Sequence, residues 1–95
     1  MELFSDIKVD LIDKGDLLAL ADVTVGKAIR LRGIRVVQGT AGPFISFPAK
    51  KMPDGKRFED VFYAIDKDAR KSLKELILSA REKAMAEKAG IEDTF

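Results

Sequence analysis

The spacing of apolar side chains changes period once along this chain, and the place where it changes limits the folds open to it. Up to Ile65, apolar residues alternate with polar ones in short runs separated by glycine, proline and aspartate; from Ala69 to Ala84 they recur every three or four positions. The first pattern is that of half-buried strands and the second that of one amphipathic helix. The breaks between these runs, from two residues at Gly26-Lys27 to about ten between Pro48 and Arg57, are shorter than the crossover that a parallel pair requires. The expectation is therefore a single α+β domain over residues 1–95. It has an antiparallel sheet of about five strands within 6–65, one long helix over 67–89, and a loose tail over 90–95.

The first strand is read at 6–12, where Ile7, Val9 and Leu11 face one way and Lys8 and Asp10 the other. Lys14, Gly15 and Asp16 form a turn, a second strand follows over 17–25, and Gly26-Lys27 turns the chain again. The third strand, 28–38, carries a phase fault. Ile29 and Leu31 are apolar at odd positions, Ile34 and Val36 at even ones, with Gly33 between them. A bulge at Gly33 repairs the pattern and brings Arg30, Arg32 and Arg35 to the solvent face. Without it Arg35 would enter the core at a large desolvation cost. A short strand over 44–47 ends at Pro48, residues 50–57 read as an exposed loop around Pro53-Asp54-Gly55, and a last strand over 58–65 returns from it. Asp66 is placed to cap the helix and Gly90 to stop it. Beyond Arg81 the helix has only alanines and Met85 as apolar contacts, so its second half is expected to project, fray or pack on a partner.

Composition narrows the chemistry. The chain has neither cysteine nor histidine. That rules out a disulfide framework and a thiolate metal site, and it removes the usual general base near neutral pH. Gly39 to Gly42 is not followed by the lysine and hydroxyl of a phosphate-binding loop, and the scattered carboxylates form no recognisable pair. The reading is a binding protein with no catalytic residues, no metal, no cofactor and no small-molecule substrate. No apolar run is long enough to span a bilayer and the first residues lack a signal peptide's pattern, so a cytoplasmic protein without membrane contact is expected.

Charge is where the sequence becomes specific. Residues 1–25 carry net −4, residues 26–57 net +7 and residues 58–95 net −2, so a strongly basic block is hidden in a total of +1. Eight cations lie in that block (Lys27, Arg30, Arg32, Arg35, Lys50, Lys51, Lys56 and Arg57) against Asp54 alone. Arginines on an open sheet face beside a lysine loop match a phosphate backbone in charge and in hydrogen bonding. The plainer alternative is a solvated face. On the helix, Lys67, Lys71, Lys74 and Arg81 share a side with Arg70 beside them, although Glu75 and Glu82 are available to pair with that stripe. Phe44, Phe47, Phe58, Phe62 and Tyr63 flank the basic loop and are assigned chiefly to the core. A ribonucleoprotein-type RNA-binding fold is disfavoured, because it needs a helix where Lys14-Gly15-Asp16 stands.

Three segments in order, Gly33-Ile34-Arg35-Val36-Val37-Gln38-Gly39, Gly42-Pro43-Phe44-Ile45-Ser46-Phe47-Pro48 and Lys50-Lys51-Met52-Pro53-Asp54-Gly55, resemble the stage V sporulation protein G (SpoVG) or septation protein family. The likeness runs from about residue 4 to residue 84. It implies an antiparallel sheet with a C-terminal helix, associating as a homodimer. It also implies a bacterial cytoplasmic regulator that binds DNA or RNA and bears on septation and sporulation. What carries over for binding is Lys50 and Lys51 before the turn, Arg35, and Arg70 at the helix start; Lys56, Arg57, Lys71 and Lys74 join them from the charge pattern. The chain departs from the family in having lysine at 51 where arginine is common, one extra residue at Lys56-Arg57, and arginines at 30 and 32 that the family does not require. A protein-interaction role in septation, with the basic surface docking an acidic partner, is the competing reading.

Overall fold

The computed structural model describes residues 3–93. Six strands and one helix follow in chain order: β1 (Phe4–Lys14), β2 (Leu17–Val25), β3 (Ile29–Gly39), β4 (Gly42–Ser46), β5 (Ala49–Lys51), β6 (Phe58–Asp60) and α1 (Lys67–Asp93). The first four form an antiparallel sheet in the order β1-β2-β3-β4, and β5 and β6 form a separate two-stranded hairpin. The α+β class and antiparallel pairing follow the alternation, while the division into two sheets does not. Pro48 lies between β4 and β5 and has no N–H for a ladder, so the main sheet ends there.

One face of the sheet is the core. Ala19, Ala21, Val23, Ile34, Val36, Ile45 and Phe47 are buried together with Leu73 and Ile77 of α1. The backbone of α1 runs nearest β1 and β4, and Leu73 and Ile77 reach the buried cluster from it. Ala80 and Ala84, farther along α1, face Ile7 and Val9 of β1 across a shallow crevice. The second half of the helix thus lies against the domain's own sheet for at least one more turn.

The phase fault in β3 is a bulge. Pairing steps from Ala21↔Ile34 to Val23↔Leu31, so Arg32 and Gly33 together oppose Asp22. Gly33 takes φ +82°, a left-handed value that costs an ordinary residue and not glycine. Ile34 and Val36 are fully buried on one side, and Arg30, Arg32 and Arg35 emerge on the other. Two further irregularities in β1, between Ser5 and Lys8 and between Leu11 and Lys14, contain left-handed Asp6 and Asp13 respectively, and aspartate tolerates that region better than most side chains.

Three expectations need correction. Residues 50–57 are not all loop, since Lys50 and Lys51 belong to β5. The last strand stops at Asp60 instead of Ile65: β6 has only the three residues of β5 to pair with, and the chain then crosses to the helix without a ladder partner. The helix continues through Gly90 to Asp93, because a lone glycine costs a helix about 1 kcal/mol without ending it; the rest of the expected tail, residues 94–95, lies outside the described residues.

Replacing Gly33 by alanine is expected to lower stability by about 1–2 kcal/mol, read as a fall in the urea midpoint with unchanged slope. The space around its Cβ position is open, so the cost is backbone conformation and not collision. An unchanged midpoint would show that the bulge does not need a left-handed residue.

Candidate nucleic-acid interface

The strand arginines share a face but not a state. Arg30 donates to Asp6 Oδ2 at 3.0 Å and to Thr24 Oγ1 at 3.1 Å, with Asp22 at 3.7 Å; Arg32 has the same Asp22 at 3.5 Å. Their charge is spent on carboxylates of β1 and β2 before any ligand arrives. Arg35 is different. Its Nη2 donates to Ser46 Oγ at 3.1 Å, and no carboxylate among the described residues lies within 4 Å of it.

The hairpin is built around one aspartate. Asp54 Oδ1 accepts from the backbone N–H groups of Lys56 (2.9 Å) and Arg57 (3.2 Å), and Oδ2 accepts from Arg57 Nε at 2.9 Å. Gly55, at φ +73°, makes the turn, and the N–H of Met52 donates across it to the Arg57 carbonyl at 2.8 Å. The Lys56 N–H, then the Arg57 guanidinium and the Arg57 N–H, hold the Asp54 carboxyl below the usual aspartate range. Arg57 also approaches Glu59 at 3.8 Å, so it fastens the hairpin. Lys50, Lys51 and Lys56 are exposed, and no carboxylate among the described residues lies within 4 Å of them.

The third group is at the helix start. Asp66 caps α1 by accepting from the Ala69 N–H at 2.9 Å. One turn in, the Arg70 guanidinium lies 5.3 Å from the ring centre of Phe47, which packs against Phe62 with centroids 5.5 Å apart. Lys71 and Lys74 are exposed, and neither they nor Glu75 form an ion pair among the described residues.

These groups converge on the end of β4. Arg35 is tied to Ser46 on the open side of the sheet, Arg70 covers Phe47 on the helix side, and β5 begins at Ala49 just beyond. The Val61 N–H donates to the Pro48 carbonyl at 2.7 Å, which anchors the far side of the hairpin to the same spot. The strand arginines and the lysine hairpin therefore do not form one continuous cationic field: Arg35 and the hairpin adjoin, while Arg30 and Arg32 stand apart and paired. Asp6 and Asp22 were missed as counter-charges. The register signal that reveals Asp22, its position opposite Arg32 and Gly33, depends on the bulge.

As pH falls, the Asp54 carboxylate should hold the turn until below the usual aspartate range, because a depressed folded-state pKa keeps the stabilising charge at all higher pH. The Lys56 and Arg57 amide NMR signals should titrate together with that low midpoint, and Asp54→Asn should abolish the transition. A midpoint at the ordinary aspartate value would dissolve this picture.

The SpoVG family model matches residues 1–83. Curated proteins with septation protein SpoVG in their names are similar to this chain. The one from Clostridium beijerinckii is 33% identical over 84 residues, covering 87% of this chain and 91% of its own length. That of Thermoanaerobacter sp. strain X514 is 34% identical over 86 residues, covering 90% and 92%, and that of Bdellovibrio bacteriovorus 31% over 81, covering 85% and 74%.

Proposed function

This chain belongs to the SpoVG family, and from that premise we propose that it is a regulatory nucleic-acid-binding protein of the bacterial cytoplasm, working as a homodimer in the control of septation and sporulation. It binds and does not catalyse. The observation that carries the reading is the hairpin: a turn stiffened by Asp54 presents Lys51 and Lys56, with Lys50 on the other face across from Glu59. None of the three has a carboxylate of the described residues within 4 Å. Cations already neutralised by their own protein gain little from a phosphate, whereas free ones release counterions when they meet it. Arg35 and Arg70 border the hairpin and extend the cationic surface to both sides of β4.

The dimer is supported by an apolar surface that the chain leaves open. Val61, Tyr63 and Ile65 are exposed, Ile65 at 92%, and Tyr63 and Ile65 line a groove of about 420 Å³ together with Val25, Ile29, Leu31 and Phe62. A domain of this size buries a modest share of its surface alone, and a second copy offers the same groove and the same projecting side chains in return. Two copies present two hairpins, as a repeated or palindromic site requires.

Titration against labelled duplex and single strands at several salt concentrations tests binding. Affinity should fall with a log–log slope of about −0.9 per phosphate contacted on duplex. Lys50→Glu with Lys51→Glu should flatten that slope and weaken binding while leaving the melting temperature unchanged. No binding at low salt would transfer the basic surface to an acidic protein partner. Ile65→Asp should shift sedimentation from dimer to monomer with the far-UV spectrum retained; an unshifted boundary would place the dimer contact elsewhere.

A further inference from the structure

We infer that Phe58 is a stacking platform for an unpaired base, so that the hairpin takes a single-stranded segment of nucleic acid in preference to a duplex. This rests on the reading of Lys50, Lys51 and Lys56 as phosphate contacts. Phe58 is 68% exposed although it sits in a hydrogen-bonded strand. It stands directly opposite Lys51 in the antiparallel register, so ring and ammonium rise from the same side of the hairpin as cross-strand neighbours.

The other aromatics near the basic surface already have a place. Phe47 is 4% exposed and lies under Arg70 and against Phe62. The Phe44 ring rests on Gly39, where an added Cβ would come within 2.9 Å of it. Tyr63 lines the apolar groove. Phe58 is not among the residues that line that groove.

A bare ring beside an unpaired cation suits a ligand that alternates aromatic faces with anions. An unstacked strand offers both; a duplex hides its base faces inside the stack and offers only phosphates. The hairpin also holds ring and ammonium in fixed relation, because Asp54 and the bond from Met52 to Arg57 close its turn. Asp60 shares the face of Phe58, opposite Ala49, and repels phosphate at that end. The strand is thereby directed over Phe58 and Lys51 toward the turn.

The chain has no tryptophan, so Phe58→Trp introduces a single reporter at the site. Its emission should be quenched by oligothymidylate and left unchanged by an abasic strand of equal length, which has the phosphates without the bases. Phe58→Ala should weaken oligothymidylate binding about 5- to 150-fold, leave abasic-strand and duplex binding unchanged, and be rescued by Phe58→Tyr. Circular dichroism and sedimentation of each variant accompany the titrations. Salt-sensitive binding that ignores Phe58→Ala overturns this inference alone, since the cations then suffice. Binding lost together with a change in sedimentation overturns it too, by making Phe58 a contact between copies. A wild-type protein that binds no strand at low salt overturns the phosphate reading and this inference with it.

Discussion

Everything described here depends on one packing contact, the seating of Leu73 and Ile77 on the apolar face of the sheet. Both are essentially without solvent contact, and they share one buried cluster with Ala19, Ala21, Val23, Ile34, Val36, Ile45 and Phe47, while the helix backbone runs nearest β1 and β4. That contact sets where the helix begins, and through Asp66 and Arg70 it sets what covers the end of β4. Phe47 has the helix side chain Arg70 over its ring and Phe62 against it. The junction from which the hairpin emerges is thus fixed by core packing, although the hairpin itself contributes none of the fully buried core.

On this scaffold the protein sorts its cations by register. The bulge at Gly33 sets two arginines of β3 against Asp22 and leaves Arg35 beside a serine. Exposed pairs of this kind add little stability, of the order of 1 kcal/mol or less, yet they change what the surface presents. A face with three arginines in sequence offers one unpaired guanidinium in space. Asp54 does the opposite for the hairpin, binding Arg57 while Lys50, Lys51 and Lys56 stay free.

How much of this was legible in the sequence can be traced residue by residue. Alternation makes β1 and β2 readable, and in β3 the phase fault between Leu31 and Ile34 is enough to locate the bulge, because the alternative buries an arginine. Asp66 was readable as a cap and Asp54 as a turn residue from local spacing. The separate hairpin was not: β5 and β6 are three residues each, too short to show a period. The end of the helix is not legible at Gly90, because glycine weakens a helix without ending it. In the site, the lysines of the hairpin and Arg35 were legible from charge and from the family motif. The pairing of Arg30 and Arg32 was not, since it joins residues on three strands. Nor was the exposure of Phe58, because an aromatic in an apolar run reads as core until the run proves to be an outlying ribbon.

The meander order has a kinetic side. Every pairing in the main sheet joins strands adjacent in sequence, across links of a few residues, so the sheet assembles through a series of small loop closures. The packing of α1 on β1 is the contact between the two ends of the chain, and it closes the largest loop. During synthesis the sheet can form first, with its apolar face bare, and the helix arrives last to cover it. The hairpin lies between these two events. Its turn is closed by the local bonds of Asp54 and Met52, whereas Arg70 comes over Phe47 beside it only once α1 has docked.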